Sequence, residues 1–295
     1  MNQTATKERK IKAVHKAVYE PIADLITFRA MPTEDFSMNQ VDPFILLNHH
    51  GYQEYKPKNA GLPFGPHPHR GFETVTFILE GDLTHKDSSG SSSIIKAGGI
   101  QWMTAGSGLI HAEISSEEFK TNGGPLEMLQ LWINLPARQK MVKPKYTGLQ
   151  KEQIPVLSLE EGKVTAQLTS GNWWGMEGAI QSITGVHLAL FSFQPKGSFT
   201  IDIQEDQNIL FYVIKGEVLV NSSPAMAHQI IEFSNEGQSL QVEATADSIV
   251  LVGYAKPFGE PFVAYGPFVM NTKEEIIQAY MDYEEGKFGN EQALM

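Results

Sequence analysis

The chain has 295 residues, room for two domains of ordinary size, with 41% hydrophobic and 19% charged residues in a globular balance. Cysteine is absent, which excludes a disulfide scaffold and any thiolate-ligated metal. The net charge of −11 repels nucleic-acid phosphates, leaving Lys140, Lys143 and Lys145 as one candidate basic patch.

The N-terminal stretch MNQTATKERKIKAVHKAV is basic and lacks an apolar core, so no secretory signal is expected. Apolar runs such as Ile209–Ile214 are too short to span a membrane. A cytoplasmic location follows by default. Further on, GPHPHRGFE leads into ETVTFILEGDLTHKDSSG, where Val75, Phe77 and Leu79 alternate with Thr74, Thr76 and Ile78. That pattern predicts a strand, a turn at Gly81, a second strand and a turn at 87–90. Gly98, Gly99, Gly106 and Gly108 then precede GLIHAEI and permit the bends a small barrel needs. Strand-like runs recur at 128–135, 186–193, 208–220, 230–234 and 248–255. TKEEIIQAYMDYEEG predicts the one clear helix. Thr272 and Glu275 suit a capping box, Ile276, Ile277, Tyr280 and Met281 form the apolar face, and Gly286 marks the end. The expected class is all-β with a terminal helix.

FILEGDLT at 77–84 matches YVIKGEVL at 212–219, which predicts a second β-domain of the same kind. We place the divide in 136–165, giving domains 1–140 and 141–295. Carried without gaps, the repeat aligns His67 with Asp202, His69 with Gln204, His111 with Ala246 and Glu113 with Ser248. Any metal chemistry therefore belongs to the N-terminal half.

Two spacings carry that chemistry. His67 and His69, like His111 and Glu113, are two residues apart, so in extended backbone each pair projects to one face. Facing one another, they would offer three imidazoles and a carboxylate with a coordination position open, as a catalytic metal site requires. An isolated His-x-His is more often a surface feature than a ligand pair. Glu73, four residues after His69, competes with Glu113 for the carboxylate role. His85 reads as exposed. His49 and His50 read as loop residues on different faces, one of which could line the site mouth. Trp102, Met103 and Phe77 suit either a cavity wall or plain core.

HPHRGFETVTFILEG, IQWMTAGSGLIHAE, LQLWINLPARQKMVKPKY and YGPFVMNTKEEIIQAYMDYEEGKFG resemble the signature segments of the pirin family, over roughly residues 42–289. The resemblance implies a bicupin, two jelly-roll-like cupin barrels, with one mononuclear metal in the N-terminal barrel. Iron is the first choice and Mn, Ni, Cu, Co or Zn are alternatives. It implies His67, His69, His111 and Glu113 as ligands, with Glu73 supporting a ligand imidazole. LNHHG at 47–51 departs from the family, where many members carry an acidic residue in place of His49. Two functions follow from the resemblance. One is quercetin 2,3-dioxygenase chemistry on a flavonol and O2, with Glu113 as general base. The other is a metal- or redox-sensing regulator that contacts a regulatory or metabolic protein.

Overall fold

The structure, a computed structural model, describes residues 6–294; the first five residues of the N-terminal stretch lie outside it. Nearly all the regular structure is antiparallel strand, arranged as two cupin barrels. Each barrel pairs a seven-stranded sheet with a four-stranded one. Among the described residues no helix is long and apolar enough to cross a membrane.

In the N-terminal barrel the larger sheet is built around Phe72–Glu80, flanked by Ile100–Thr104 and Gly124–Asn134. The smaller sheet runs Phe64–His69, Leu109–Ile114, Asp82–Asp87, Ser92–Lys96. Phe72–Glu80 is buried on both faces for most of its length, which suits its β-branched and aromatic run. The strand turns at Gly81, with φ +81°, where a Cβ would lie 2.7 Å from the Pro125 carbonyl oxygen.

The C-terminal barrel repeats this plan. Asn208–Lys215 passes through Gly216, also at φ +81°, into Glu217–Val220. Its smaller sheet runs Ser198–Asp202, Ser239–Ala244, Glu217–Val220, Ser223–Met226. A single apolar core fills it, with Phe191, Phe211, Val242 and Val252 fully buried. The predicted runs at 186–193, 208–220, 230–234 and 248–255 all appear as strands, the 208–220 run as a hairpin.

Neither barrel is contiguous, which differs from the expected division into 1–140 and 141–295. Among the described residues, one compact unit comprises 6–18, 30–43 and 153–257; the other comprises 19–29, 44–152 and 258–294. Ile11–Lys16 pairs with Gln229–Phe233 and so joins the C-terminal barrel's sheet. At the other end Ile276 and Ala279 of the helix bury against Phe268, Phe288 and Ile110, which ties the helix to the N-terminal barrel. That helix, Lys273–Glu284, carries the expected Thr272–Glu275 capping box. Its buried face differs from the expected one, because Ile277 and Met281 are exposed while Ile276, Ala279 and Asp282 are buried. A short helix at Glu117–Asn122, capped by Ser116, had no periodic signal long enough to reveal it.

Candidate metal centre

Phe64–His69 and Leu109–Ile114 are neighbours in the smaller sheet of the N-terminal barrel, with His111 directly opposite His67. The i,i+2 alternation keeps His67 and His69 on one face, so three rings converge. Their centroids are 4.4 Å apart for His67–His111, 4.8 Å for His67–His69 and 4.9 Å for His69–His111. One ligand nitrogen from each can be chosen so that all lie within 4.8 Å of one another. His69 and His111 are buried and His67 is half-buried.

The hydrogen bonds fix two tautomers. His67 Nδ1 is 2.7 Å from the Gly65 carbonyl oxygen, and His69 Nδ1 is 3.2 Å from that of Pro267. A carbonyl only accepts, so both Nδ1 atoms carry hydrogen, which leaves each Nε2 as the candidate ligand atom. Holding an imidazole by its other N–H is how proteins orient metal ligands. His111 is fully buried, yet neither of its nitrogens has a hydrogen-bond partner. A buried polar atom without a partner costs roughly 1–3 kcal/mol. Burial, reinforced by the neighbouring histidines, pushes His69 and His111 well below the ordinary histidine range, so both stay neutral with lone pairs available. Three imidazoles, one of them unsatisfied, fit a first-row divalent metal.

Glu113 is buried on the same strand but is not one of this converging group. Its Oε1 accepts from Thr76 Oγ1 at 3.2 Å and from Gln101 Nε2, and its Oε2 accepts from Gln130 Nε2 at 2.7 Å. Glu73 is also buried, and Thr104 Oγ1 donates to it at 2.6 Å. Sequence spacing could not foresee the Thr76, Gln101 and Gln130 contacts, since these residues come from three separate strands.

His85 corrects an expectation: it is fully buried, not exposed. It lies opposite Glu113 in the ladder, 5.4 Å from the His111 ring, and stacks on Tyr146 at 3.8 Å. Its Nε2 is 2.9 Å from Asp87 Oδ2. Burial would push the Asp87 carboxyl up, but bonds from His85, Ser89 and Ser91 outweigh it and bring it down to about 2. The His85–Asp87 spacing of two residues was the available signal. His49 and His50 also lie in a strand, not a loop. His49 Nε2 is 2.9 Å from Glu127 Oε1, and His50 Nδ1 is 2.9 Å from Thr27 Oγ1. Trp102, Met103 and Phe77 are buried, and Met103 packs with Ala105 and Leu109 as core.

In the second barrel the matching positions hold apolar residues. The Gly81 and Gly216 turns align the two hairpins, and strand pairing carries the alignment across each small sheet. His67 and His69 then correspond to Ile201 and Ile203, His111 and Glu113 to Leu240 and Val242, and His85 to Val220. This corrects the gapless alignment to Asp202, Gln204, Ala246 and Ser248, because the loops between strands differ in length. In the larger sheet Thr76, Gln101 and Gln130 correspond to Phe211, Ile231 and Val252. All eight replacements belong to one apolar core. A cavity of about 530 Å³ in this barrel is lined by other residues, His187 and Ser182 among them.

Two cupin barrels in one chain, one with a histidine cluster and the other with an aliphatic core at matching positions, define a bicupin. The profile of the Pirin family matches residues 26–133, and that of the Pirin C-terminal cupin domain matches residues 188–289. Pirin-like protein 2 of Arabidopsis thaliana is 39% identical over 262 residues, covering 86% of this chain and 77% of its own. Human Pirin is 37% identical over 265 residues, covering 87% and 86%. The crystal structure of a quercetin 2,3-dioxygenase from Acinetobacter baumannii superposes with a TM-score of 0.90 at 33% identity, covering 98% of this chain and all of that one. The chain belongs to the pirin family.

Proposed function

We propose that the protein is a metal-dependent dioxygenase that opens the central ring of a flavonol such as quercetin, consuming O2 and releasing one ring carbon as carbon monoxide. The observation that carries this reading is the converging set of His67, His69 and His111, with both nitrogens of His111 buried and unpartnered. The quercetin 2,3-dioxygenase neighbour supports the choice of substrate. One mononuclear divalent ion would be held by the Nε2 atoms of His67 and His69 and by a nitrogen of His111, with Glu113 as fourth ligand. Iron is the first choice, and Mn, Ni, Cu, Co or Zn suit the same donors. When bound, the metal supplies Lewis acidity toward the flavonol oxygen.

The chain's own residues orient and accept. A carboxylate offers about four lone-pair sites. Thr76 and Gln101 occupy two on Oε1 of Glu113, and Gln130 occupies one on Oε2. The one remaining lone pair on Oε2 would hold the metal weakly, and when not ligating it is the site that can take the flavonol hydroxyl proton, a general-base role.

The test is aerobic turnover of quercetin by metal-loaded protein, with carbon monoxide measured and metal content determined by elemental analysis. We expect turnover with at least one ion and loss of bound metal in His67→Ala, His69→Ala and His111→Ala. No turnover with iron, manganese, nickel, cobalt or copper overturns the reading.

A further inference from the structure

The segment 267–288 grips the chain beside two of the three histidines. Pro267 supplies the carbonyl that holds His69 Nδ1, at 3.2 Å. The next residue, Arg70, is held from four directions. Its carbonyl accepts from Val269 N at 3.0 Å, and its Nε donates to the Ser107 carbonyl at 2.9 Å. Its Nη1 meets Asp282 Oδ2 at 2.7 Å, and its guanidinium carbon lies 4.6 Å above the Phe288 ring. Charge-assisted contacts of this kind define direction as well as adding energy. Gly71 follows at φ +86°, where a Cβ would lie 2.0 Å from the Val269 oxygen, so the close approach requires glycine. The buried Lys140 ammonium donates to both the Gly71 and the Val269 carbonyls at 2.9 Å.

The grip extends to the strand of His111. A Cβ on Gly108 would meet the Phe288 ring at 2.5 Å. Ser88 Oγ donates to the Phe288 carbonyl at 2.5 Å and accepts from Ile110 N at 3.1 Å. Ile110 itself packs among Phe268, Ile276 and Phe288. The residues immediately before His111 and immediately after His69 are thus clasped by one segment.

We propose that Pro267–Phe288 is a working part of the metal centre, in which Arg70, Asp282 and Phe288 are positioning residues. Docking of the segment fixes the rings of His69 and His111, so docking and metal affinity are coupled. The inference rests on the metal reading above. Coupling of two equilibria is reciprocal, so metal must tighten the segment by as much as the segment tightens metal.

Cobalt(II) is the probe, measured by chelator competition and by its visible absorption. Asp282→Asn and Phe288→Ala should each weaken cobalt(II) binding roughly 10- to 100-fold, the range typical for residues that orient ligands. Val242→Ala, a core truncation in the C-terminal barrel, should lower thermal stability and leave cobalt(II) affinity within twofold. In the unaltered protein, cobalt(II) should slow hydrogen exchange at 273–285, and His111→Ala should abolish that slowing. The inference is overturned if exchange at 273–285 is indifferent to cobalt(II). It is also overturned if Asp282→Asn and Phe288→Ala bind cobalt(II) as the parent does while their helix exchanges faster. Failure of the unaltered protein to bind cobalt(II) or any other first-row ion overturns the metal reading itself.

Discussion

His111 is buried with both ring nitrogens unpartnered, so without a metal it weakens the fold that contains it. Replacing it by leucine removes that penalty, as the matching Leu240 does in the other barrel. We expect His111→Leu without metal to be at least as stable as the metal-free parent in thermal scans, and to show no stabilisation by added metal. Retained metal stabilisation would contradict the ligand assignment. A second residue-scale effect concerns His50, which burial and the neighbouring His49 and Arg29 charges push down to about 3. Above pH 6.5 the residue is neutral whether folded or not. Below it only the unfolded chain takes the proton, so stability falls from about pH 6.5 until about pH 3. His50→Gln should flatten denaturant-measured stability over that window, by up to about 1.4 kcal/mol per pH unit. An unchanged slope would exclude this cause. That His67 and His69 share one face was readable because a two-residue spacing is a local property of extended backbone. The burial of His85 was not, since it depends on Tyr146 and Asp87 closing around it.

At the scale of elements, the terminal helix depends on its cap. Thr272 Oγ1 accepts from Glu275 N at 3.2 Å, and Glu275 Oε2 accepts from Thr272 N at 3.1 Å. Thr272→Ala should cost about 1 kcal/mol, seen as faster exchange in the first helical turn. Equal protection in the variant would mean that packing alone holds that end. The cap was legible because its chemistry lies within four residues. The buried face was misjudged because apolar residues at 276, 277, 280 and 281 cannot all turn inward, and the tie goes to Ile276 and Ala279 against Phe268 and Phe288. Strands behaved similarly. The Gly81 and Gly216 hairpins were visible as a repeat, but register in the partner strands was displaced by one residue at 202 and 204. A one-residue slip exchanges the two faces of a strand, which is why Asp202 is exposed where Ile201 and Ile203 enter the core.

For the whole molecule, a metal bound at the proposed site would act as a ligand of the folded state alone. At a free metal concentration one hundred times the dissociation constant it adds about 2.7 kcal/mol. Stripping the protein with a chelator should lower its Tm by several degrees, and restoring the metal should recover it. An identical Tm before and after stripping, with metal loss verified by elemental analysis, would rule out a folded-state site. The two-barrel plan was readable from the repeat at residues 77 and 212. The exchange of chain ends was not, because neither Ile11–Lys16 nor Phe268–Phe288 carries any mark in sequence of the strands it meets.

That exchange bears on how the protein is made. The strand Ile11–Lys16 is translated well before its partner Gln229–Phe233, which follows more than 200 residues later. The histidines likewise precede the segment that clasps His69, whose Pro267 lies 198 residues further along the chain. Such distant pairings slow folding, because a long loop must close before its contacts form. The N-terminal barrel cannot be completed while the C-terminal barrel is still being translated, so on the metal reading proposed above the clasped site forms only after both barrels have been translated.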